Sequence, residues 1–174
     1  MELLRDGPEL WLAGQRLEGV SGHDAGRALL AALYRRATGE EGLPEIGLEA
    51  RGKPRFRSGP WHFSVTHTPS HALCALAREP LGLDGEEADR RIDLRLAKKI
   101  LSPGEYARFS AARDPRLTLL KLWVLKEAGA KATGRGLGNR LWRTDYSPED
   151  PRLETYDGCL YAVIFARSEE NHAV

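Results

Sequence analysis

Apolar residues recur at helical spacing in three parts of the chain. In "HDAGRALLAALYRRATG" they return every three to four residues, and the pattern ends at Gly39. A short helical stretch is predicted from about Ile92 to Leu101. A long helix is predicted from about Pro115 to Thr133 and is expected to stop at Gly134 and Gly136, since glycine readily adopts the left-handed conformation that ends helices.

A further helix is indicated by its capping residues. In "SPGEYARFSAA", Ser102 suits the N-cap, Pro103 the first helical position and Glu105 the capping box. Elsewhere the pattern alternates. "WHFSVTHT" is predicted to be a strand with Phe63 and Val65 on one face, and "HALCALARE" a second strand or, from its alanines, a helix.

The tail predicts a β-hairpin, because "RLETY" and "CLYAVIFA" flank the turn dipeptide "DG". "EARGKPRFRSGP" is predicted to be a loop rich in glycine, proline and basic residues. The predicted strands are concentrated at the middle and the end of the chain, with helices between them. This order favours an α+β fold over a doubly wound sheet.

Composition adds limits on function. The 174 residues are 41% hydrophobic and 29% charged, with a formal net charge of +1, so binding to nucleic acid through bulk charge is not expected. No stretch approaches the roughly 20 apolar residues of a membrane span, and the charged N-terminus does not resemble a signal peptide. Cys74 and Cys159 lack metal-type spacing and are expected to be buried thiols. A cytoplasmic location is the default expectation.

Two carboxylates stand close together in "GLDGEE". In an extended strand Asp84 and Glu86 would point to one face, where their mutual repulsion favours a cation between them. Oxygen ligands of this type suit Mg²⁺. The alternative is a surface turn, since the D-x-E pattern often occurs by chance.

The long helix carries a third carboxylate within "WVLKEAGAKATG". Trp123, Glu127 and Lys131 recur at four-residue steps and therefore share one face. If this face lies beside the Asp84 strand, three carboxylates and a lysine meet, which suits a magnesium-dependent phosphoryl-transfer site. The alternative is an exposed Glu–Lys pair that contributes about 0.3 kcal/mol.

The remaining candidates lie upstream. Arg51, Lys53 and Arg55 are cations suited to an exposed phosphate. His67 ends a predicted strand beside Thr66, and a histidine in such a position is, taken alone, more often a loop or core residue than a ligand group.

The order of these blocks resembles the 4′-phosphopantetheinyl transferases. The blocks are "GKP", "FSVTHT", "GLDGE", "LSPGEYARF" and "LWVLKEAGAKATGRGL", and the resemblance runs from about Asp24 to Leu137. It is strongest for the larger, monomeric subclass, which implies two pseudo-symmetric α+β halves, here residues 1–78 and 79–174. The first half is expected to be trimmed, or completed by a partner chain in a dimer, because few residues precede Asp24.

The resemblance implies transfer of the 4′-phosphopantetheine arm of coenzyme A to a serine of an apo acyl or peptidyl carrier protein, releasing adenosine 3′,5′-bisphosphate. Asp84, Glu86 and Glu127 would hold Mg²⁺, with Mn²⁺ as the alternative ion. Glu127 would also accept the serine proton, and Lys131 would bind the pyrophosphate. The remaining coenzyme A contacts implied are Arg27, Arg51, Lys53, Pro54, Thr66 and His67.

Two departures leave alternatives open. Gly85 replaces a branched apolar residue and could let Asp84 and Glu86 leave a common face, and Thr66 replaces a serine. The Thr66 change is mild, since threonine keeps the hydroxyl group. Gly85 and the short N-terminus support the second hypothesis, a degenerate relative that binds coenzyme A or a carrier protein without turnover. An unrelated α+β protein with chance motifs is the third.

Overall fold

The computed structural model describes residues 1–134 and 144–166, and it shows an α+β fold. An antiparallel four-stranded sheet, the first sheet, has the strand order β1-β2-β6-β5. The 17-residue helix α1 (Gly22–Thr38) packs on one face of this sheet. The strands are β1 (Glu2–Asp6), β2 (Trp11–Arg16), β5 (His62–His67) and β6 (His71–Ala77).

A second antiparallel sheet has three strands in the order β7-β9-β8. Its strands are β7 (Leu81–Glu87), β8 (Leu153–Tyr156) and β9 (Cys159–Phe165). A helical layer covers it and begins with a 3₁₀ turn at Leu94–Leu96. The helices are α2 (Ala97–Ile100), α3 (Pro103–Ala111) and α4 (Pro115–Thr133). A separate hairpin pairs β3 (Ile46–Leu48) with β4 (Pro54–Phe56).

Three apolar clusters hold these layers together. One lies between α1 and the first sheet, and another between the second sheet and its helices. The third lies between the two sheets and includes the fully buried side chains of Leu12, Leu73 and Leu83. Ser64 on β5 joins the sheets as well, because its hydroxyl accepts a hydrogen bond from the Leu83 amide at 2.9 Å.

Several helix and turn predictions are confirmed. Ser102 and Glu105 form the capping box of α3, and α4 spans Pro115–Thr133 with Gly134 in the left-handed conformation. The turn between β8 and β9 places Asp157 at φ 48° and Gly158 at φ 82°, as expected when "DG" forms a tight hairpin.

Other predictions were incomplete or wrong. The "HALCALARE" segment forms strand β6, and the helical alternative is wrong. The segment predicted as a loop, "EARGKPRFRSGP", contains strand β4 and the turn that leads into it. Strands β1 and β2 were not predicted, since β1 alternates poorly and is largely exposed. The division at residue 78 and the pseudo-symmetry of the halves stay predictions.

The charged residue before Glu127 anchors α4. Lys126 is 2% exposed, and its Nζ lies 2.8 Å from Glu105 Oε2 of α3. It also donates to the Thr144 carbonyl at 2.9 Å. A buried pair of this kind fixes which face of α4 turns toward α3, because separating the charges would leave one uncompensated.

Within residues 1–134 and 144–166, no helix is both long and apolar enough to cross a membrane.

Helix α4 touches strand β7 through their backbones. A Cβ added to Gly82 of β7 would lie 2.0 Å from the Ala128 carbonyl oxygen and 2.3 Å from the Ala132 nitrogen. Both atoms belong to the helix backbone, which cannot rotate out of the way as a side-chain end can. The missing side chain at Gly82 therefore sets the distance between helix and strand.

We expect Gly82→Ala to lower the free energy of unfolding by about 1–3 kcal/mol, because the new methyl group must push α4 away from β7. Chemical denaturation followed by circular dichroism measures this loss. Gly7→Ala is the matched control, since no atom lies within 4 Å of its added Cβ. Equal stabilities of the two variants would contradict the close contact.

Candidate active site

Two adjoining cavities lie where β5, β7, α4 and the β3–β4 hairpin meet, and they share Val65, Glu127 and Lys131. The first cavity, of about 360 Å³, is lined also by Thr66, His67, Asp84, Gly85, Glu86, Arg90 and Trp123. The second, of about 320 Å³, is lined also by Arg51, Gly52, Lys53, Pro54, Phe63, Ser64, Ala130 and Gly134.

Strand β7 presents Asp84 and Glu86 to the first cavity. Pairing with β9 continues without a break through Gly85, so both acids stay on one face. The expectation that Gly85 could separate them is wrong. A Cβ at Gly85 would come within 3.3 Å of the Thr66 methyl group and the Cys159 sulfur, which leaves little room for a larger residue.

Asp84 is a buried carboxylate with one satisfied oxygen. Lys131 donates to Oδ1 at 2.7 Å and Thr66 donates to the same atom at 3.4 Å. Oδ2 has no hydrogen-bond partner and is shielded from solvent. Burial raises the pKa of Asp84, and the charge and hydrogen bond of Lys131 oppose this rise.

Glu127 lies on the facing helix and is half-buried. Burial, then repulsion from Asp84, raises its pKa to about 7, while Lys131 and Arg90 act in the opposite direction. A carboxyl group with a pKa near neutrality can both take up and release a proton at physiological pH. This is the behaviour required of a general base or acid.

Arg90 was missed by sequence reasoning. It follows β7 and forms an ion pair with Glu86 beside the cavity. Nothing in "EEADRR" distinguishes it from Arg91, so only the fold identifies the arginine that reaches the site. Trp123, predicted to be covered, is partly buried against the core below α4 and lines the cavity.

The donor set fits a hard divalent cation. In the described residues no three His, Cys, Asp or Glu side chains are grouped tightly enough to form a preassembled metal cluster. Asp84, Glu86 and Glu127 nevertheless line one cavity, and the buried Oδ2 of Asp84 lacks a partner there. Carboxylate oxygens around a partly open space are typical of Mg²⁺ sites, which keep several waters or substrate oxygens.

The second cavity is basic along its hairpin wall. Arg51, Lys53 and Pro54 all contribute to it. Lys53 donates to the Leu81 carbonyl of β7 at 3.0 Å, so the hairpin touches the second sheet. Burial lowers the pKa of Lys53, and nearby Lys131 adds to that effect, although Glu49 opposes it. These cations suit a phosphorylated ligand.

The first sheet supplies two further predicted residues. Thr66 and the exposed His67 end β5 at the first cavity. The His67 ring lies over the start of α1, where a Cβ on Gly22 would come within 2.6 Å of it. Arg27, by contrast, is exposed on α1 and lines neither cavity. Arg55, the third cation of the predicted basic loop, also lines neither cavity, so the structure brings together the predicted site residues other than Arg27 and Arg55.

Part of the sequence is similar to a family of known proteins. The sequence model of the 4′-phosphopantetheinyl transferase superfamily matches residues 80–159, the segment that carries β7 and α4. Over this segment, which is just under half of the chain, the sequence is similar to the superfamily. The predicted resemblance is therefore confirmed at the level of the superfamily.

This chain spans about half, and in most cases less than half, of the length of the curated relatives that it matches. The 4′-phosphopantetheinyl transferase HetI of Nostoc sp. is 34% identical over 122 residues, which cover 65% of this chain and 52% of HetI. Sfp of Bacillus subtilis is 34% identical over 89 residues, 49% of this chain and 39% of Sfp. A holo-[acyl-carrier-protein] synthase of Cronobacter sakazakii is 43% identical over 67 residues, 35% of this chain and 53% of the synthase.

The raised pKa of Glu127 predicts a pH dependence of stability. The folded protein keeps this proton up to about pH 7, whereas the unfolded chain releases it near 4.5. Protons bound in excess by the folded state make stability fall as pH rises between these values. We expect Glu127→Gln to remove this fall.

Thermal unfolding in a metal chelator, from about pH 5 to about pH 8, measures the effect. The difference in unfolding temperature, variant minus wild type, should grow as pH rises. Exposed Glu149, which pairs with Lys121 at 3.4 Å, provides the control variant Glu149→Gln. Parallel pH profiles of wild type and Glu127→Gln would contradict the raised pKa.

Proposed function

We propose that the protein transfers the 4′-phosphopantetheine arm of coenzyme A to a serine of an apo acyl or peptidyl carrier protein. The observation that carries this proposal is the meeting of β7 and α4. There Asp84 and Glu86 face Glu127 and Lys131 across one cavity. The segment that builds this meeting is the one matched by the superfamily.

Coenzyme A would occupy both cavities. Lys53, Arg51 and Pro54 border the second cavity, where the adenosine 3′-phosphate part would lie. Lys131 lines both cavities and is placed to bind the pyrophosphate between them. Thr66 and His67 would contact phosphate oxygens from the β5 side. We retain Arg27 only as a contact that would require the ligand to extend over α1.

The residues divide the chemistry between them. Glu127 would accept the proton of the carrier serine, directly or through water, as the hydroxyl oxygen attacks the β-phosphorus. Lys131 would hold the departing phosphate, whose negative charge grows as the P–O bond breaks. Asp84, Glu86 and Glu127 would hold a divalent cation, Mg²⁺ or Mn²⁺, which supplies electrostatic stabilisation of the pyrophosphate.

The wider setting is also part of the proposal. We assign the chain to the larger, monomeric subclass, with halves at residues 1–78 and 79–174 and a cytoplasmic location. Its macromolecular partner would be the apo carrier protein rather than nucleic acid or membrane. The region from Ile92 to Phe109 would contact the carrier. It carries four cations, Arg95, Lys98, Lys99 and Arg108, which suit an acidic partner.

One assay tests the function. The protein is mixed with an apo carrier protein, coenzyme A and Mg²⁺, and the mass of the carrier is measured. We expect a gain equal to one phosphopantetheine arm and release of adenosine 3′,5′-bisphosphate. Saturable coenzyme A binding without a mass gain would support a binding module instead. The absence of both would contradict the proposal.

Removal of the acidic side chains tests the site. We expect Asp84→Asn and Glu127→Gln each to lower the transfer rate by about 10²-fold or more, because one loses a cation ligand and the other the proton acceptor. Mass spectrometry of the carrier gives the rates, and circular dichroism checks folding. Glu149→Gln is the control on an exposed carboxylate. Wild-type rates in both site variants would reject the assignment.

Replacement of Lys53, a proposed phosphate contact, should weaken the binding of coenzyme A. We expect Lys53→Ala to raise the KM for coenzyme A by about tenfold with a smaller change in kcat, since a lost ground-state ion pair weakens binding rather than chemistry. Steady-state kinetics over a range of coenzyme A concentrations measure both constants. An unchanged KM would place the nucleotide elsewhere.

A further inference from the structure

A polar cluster outside both cavities joins the end of β7 to the turn between β5 and β6. Its centre is Glu87, which lines neither cavity. The hydroxyl groups of Thr68 and Ser70 both donate to Glu87 Oε1. The Ser70 amide donates to the same oxygen at 3.3 Å. One carboxylate oxygen therefore holds two residues of a turn that belongs to the other sheet.

The turn is itself tightly bonded. The His71 amide donates to Thr68 Oγ1 at 2.9 Å, and the Thr68 amide donates to the His71 carbonyl at 2.8 Å. His67, which lines the first cavity, is the residue immediately before Thr68. Any shift of the turn relative to β7 therefore carries His67 with it.

The cluster continues into the interior through His71, whose side chain is 2% exposed. Its Nδ1 lies 3.3 Å from Glu87 Oε1, and its Nε2 lies 3.2 Å from Asp157 Oδ2 in the β8–β9 turn. Asp157 also pairs with Arg16 of β2. The cluster thus ties β2, β6, β7 and the β8–β9 turn, and it crosses the boundary between the two sheets.

Glu87 is held as a carboxylate in this position. Three donors, the hydroxyl groups of Thr68 and Ser70 and the Ser70 amide, converge on its Oε1. The charged form is thus the one that the surrounding donors favour. Charge-assisted hydrogen bonds of this kind are shorter and stronger than neutral ones, so they set geometry well.

Glu87 is the last residue of β7, the strand that forms the carboxylate wall of the first cavity. Asp84 and Glu86 reach the first cavity from β7, whereas Thr66 and His67 reach it from β5. These two walls belong to different sheets. Glu87 follows Glu86 directly and bonds the residue that follows His67, so it connects the two walls at their ends.

We propose that Glu87 is a positioning residue that fixes the Thr66–His67 wall of the cavity against the carboxylate wall of β7. The inference rests on the proposed function, since the walls it aligns are those expected to hold coenzyme A. Glu127 and Lys131 approach from α4, which Glu87 does not contact through the cluster. Loss of Glu87 therefore disturbs ligand binding on the β5 side more than the reacting groups on α4.

The test is Glu87→Gln, measured where circular dichroism shows the folded protein. The amide keeps an accepting oxygen but loses the charge that holds three donors. We expect the KM for coenzyme A to rise about tenfold, with kcat within about twofold of wild type. Glu87→Ala should raise KM further, so that Gln gives partial rescue.

A matched control separates positioning from general destabilisation. Glu154 of β8 also joins the two sheets, through its ion pair with Arg5 of β1. It accepts a hydrogen bond from the Tyr161 hydroxyl within its own sheet at 3.1 Å, and it lines neither cavity. Glu154→Gln should lower the unfolding temperature without changing KM. If Glu87→Gln likewise lowers stability and leaves KM unchanged, Glu87 is only structural and the proposal is overturned.

The opposite side of the contact supplies a second variant. Thr68→Val removes a hydroxyl that donates to Glu87. If the two residues act as one unit, the double variant Thr68→Val/Glu87→Gln should raise KM no more than the worse single variant. Independent, multiplying effects would contradict the proposal.

A readout without turnover keeps this inference distinct from the proposed function. The imidazole NMR signals of His67 should shift in Glu87→Gln and stay at the wild-type position in Glu154→Gln. If the wild-type protein transfers no arm, the proposed function fails, and the His67 signals still decide the positioning role. Unmoved His67 signals in Glu87→Gln would overturn it.

Discussion

The contact between the backbone of α4 and strand β7 at Gly82 controls the arrangement of the site. Any side chain at this position would meet helix backbone atoms within about 2 Å, so the helix can lie this close only against glycine. Lys131, one residue before Ala132, then reaches Asp84 Oδ1 at 2.7 Å. The separation between strand β7 and helix α4 therefore sets the separation between Asp84 and Lys131, the groups on which the chemistry depends.

Charge shapes the same region. A buried carboxylate such as Asp84 is unfavourable alone, and Lys131 and Thr66 compensate it at one oxygen only. The burial of Glu127 and, after it, the proximity of Asp84 raise the pKa of Glu127 to about 7. The features that make this cavity costly for folding are thus those that suit it for cation binding and proton transfer. The buried Lys126–Glu105 pair on the other face of α4 keeps the helix oriented for this purpose.

Much of the site could be predicted from local patterns. The four-residue spacing of Trp123, Glu127 and Lys131 fixes a common helix face, and the alternation around Gly85 fixes a common strand face for Asp84 and Glu86. Such regularities depend on helix and strand geometry alone. They do not show which two faces meet, and for that the resemblance to a family was needed.

The rest depends on contacts between residues far apart in sequence. Strands β3 and β4 are three residues each, too short for an alternating pattern to mark them in the sequence. Arg90 and Glu87 lie in a segment rich in charged residues. Only their tertiary contacts show that Arg90 pairs with Glu86 at the site and that Glu87 binds the β5–β6 turn beside it. Gly82 and Gly85 look alike in the sequence, although one meets a helix backbone and the other mainly side chains.

The transfer rate of Gly82→Ala tests the central claim most directly. The measurement is made with saturating coenzyme A and apo carrier protein, at a temperature where the variant remains folded, with Gly7→Ala in parallel. Displacement of α4 from β7 should lower kcat by about tenfold or more, because Lys131 and Glu127 move away from Asp84, while Gly7→Ala keeps the wild-type rate. A folded Gly82→Ala protein with wild-type kcat would show that the contact between α4 and β7 does not build the site.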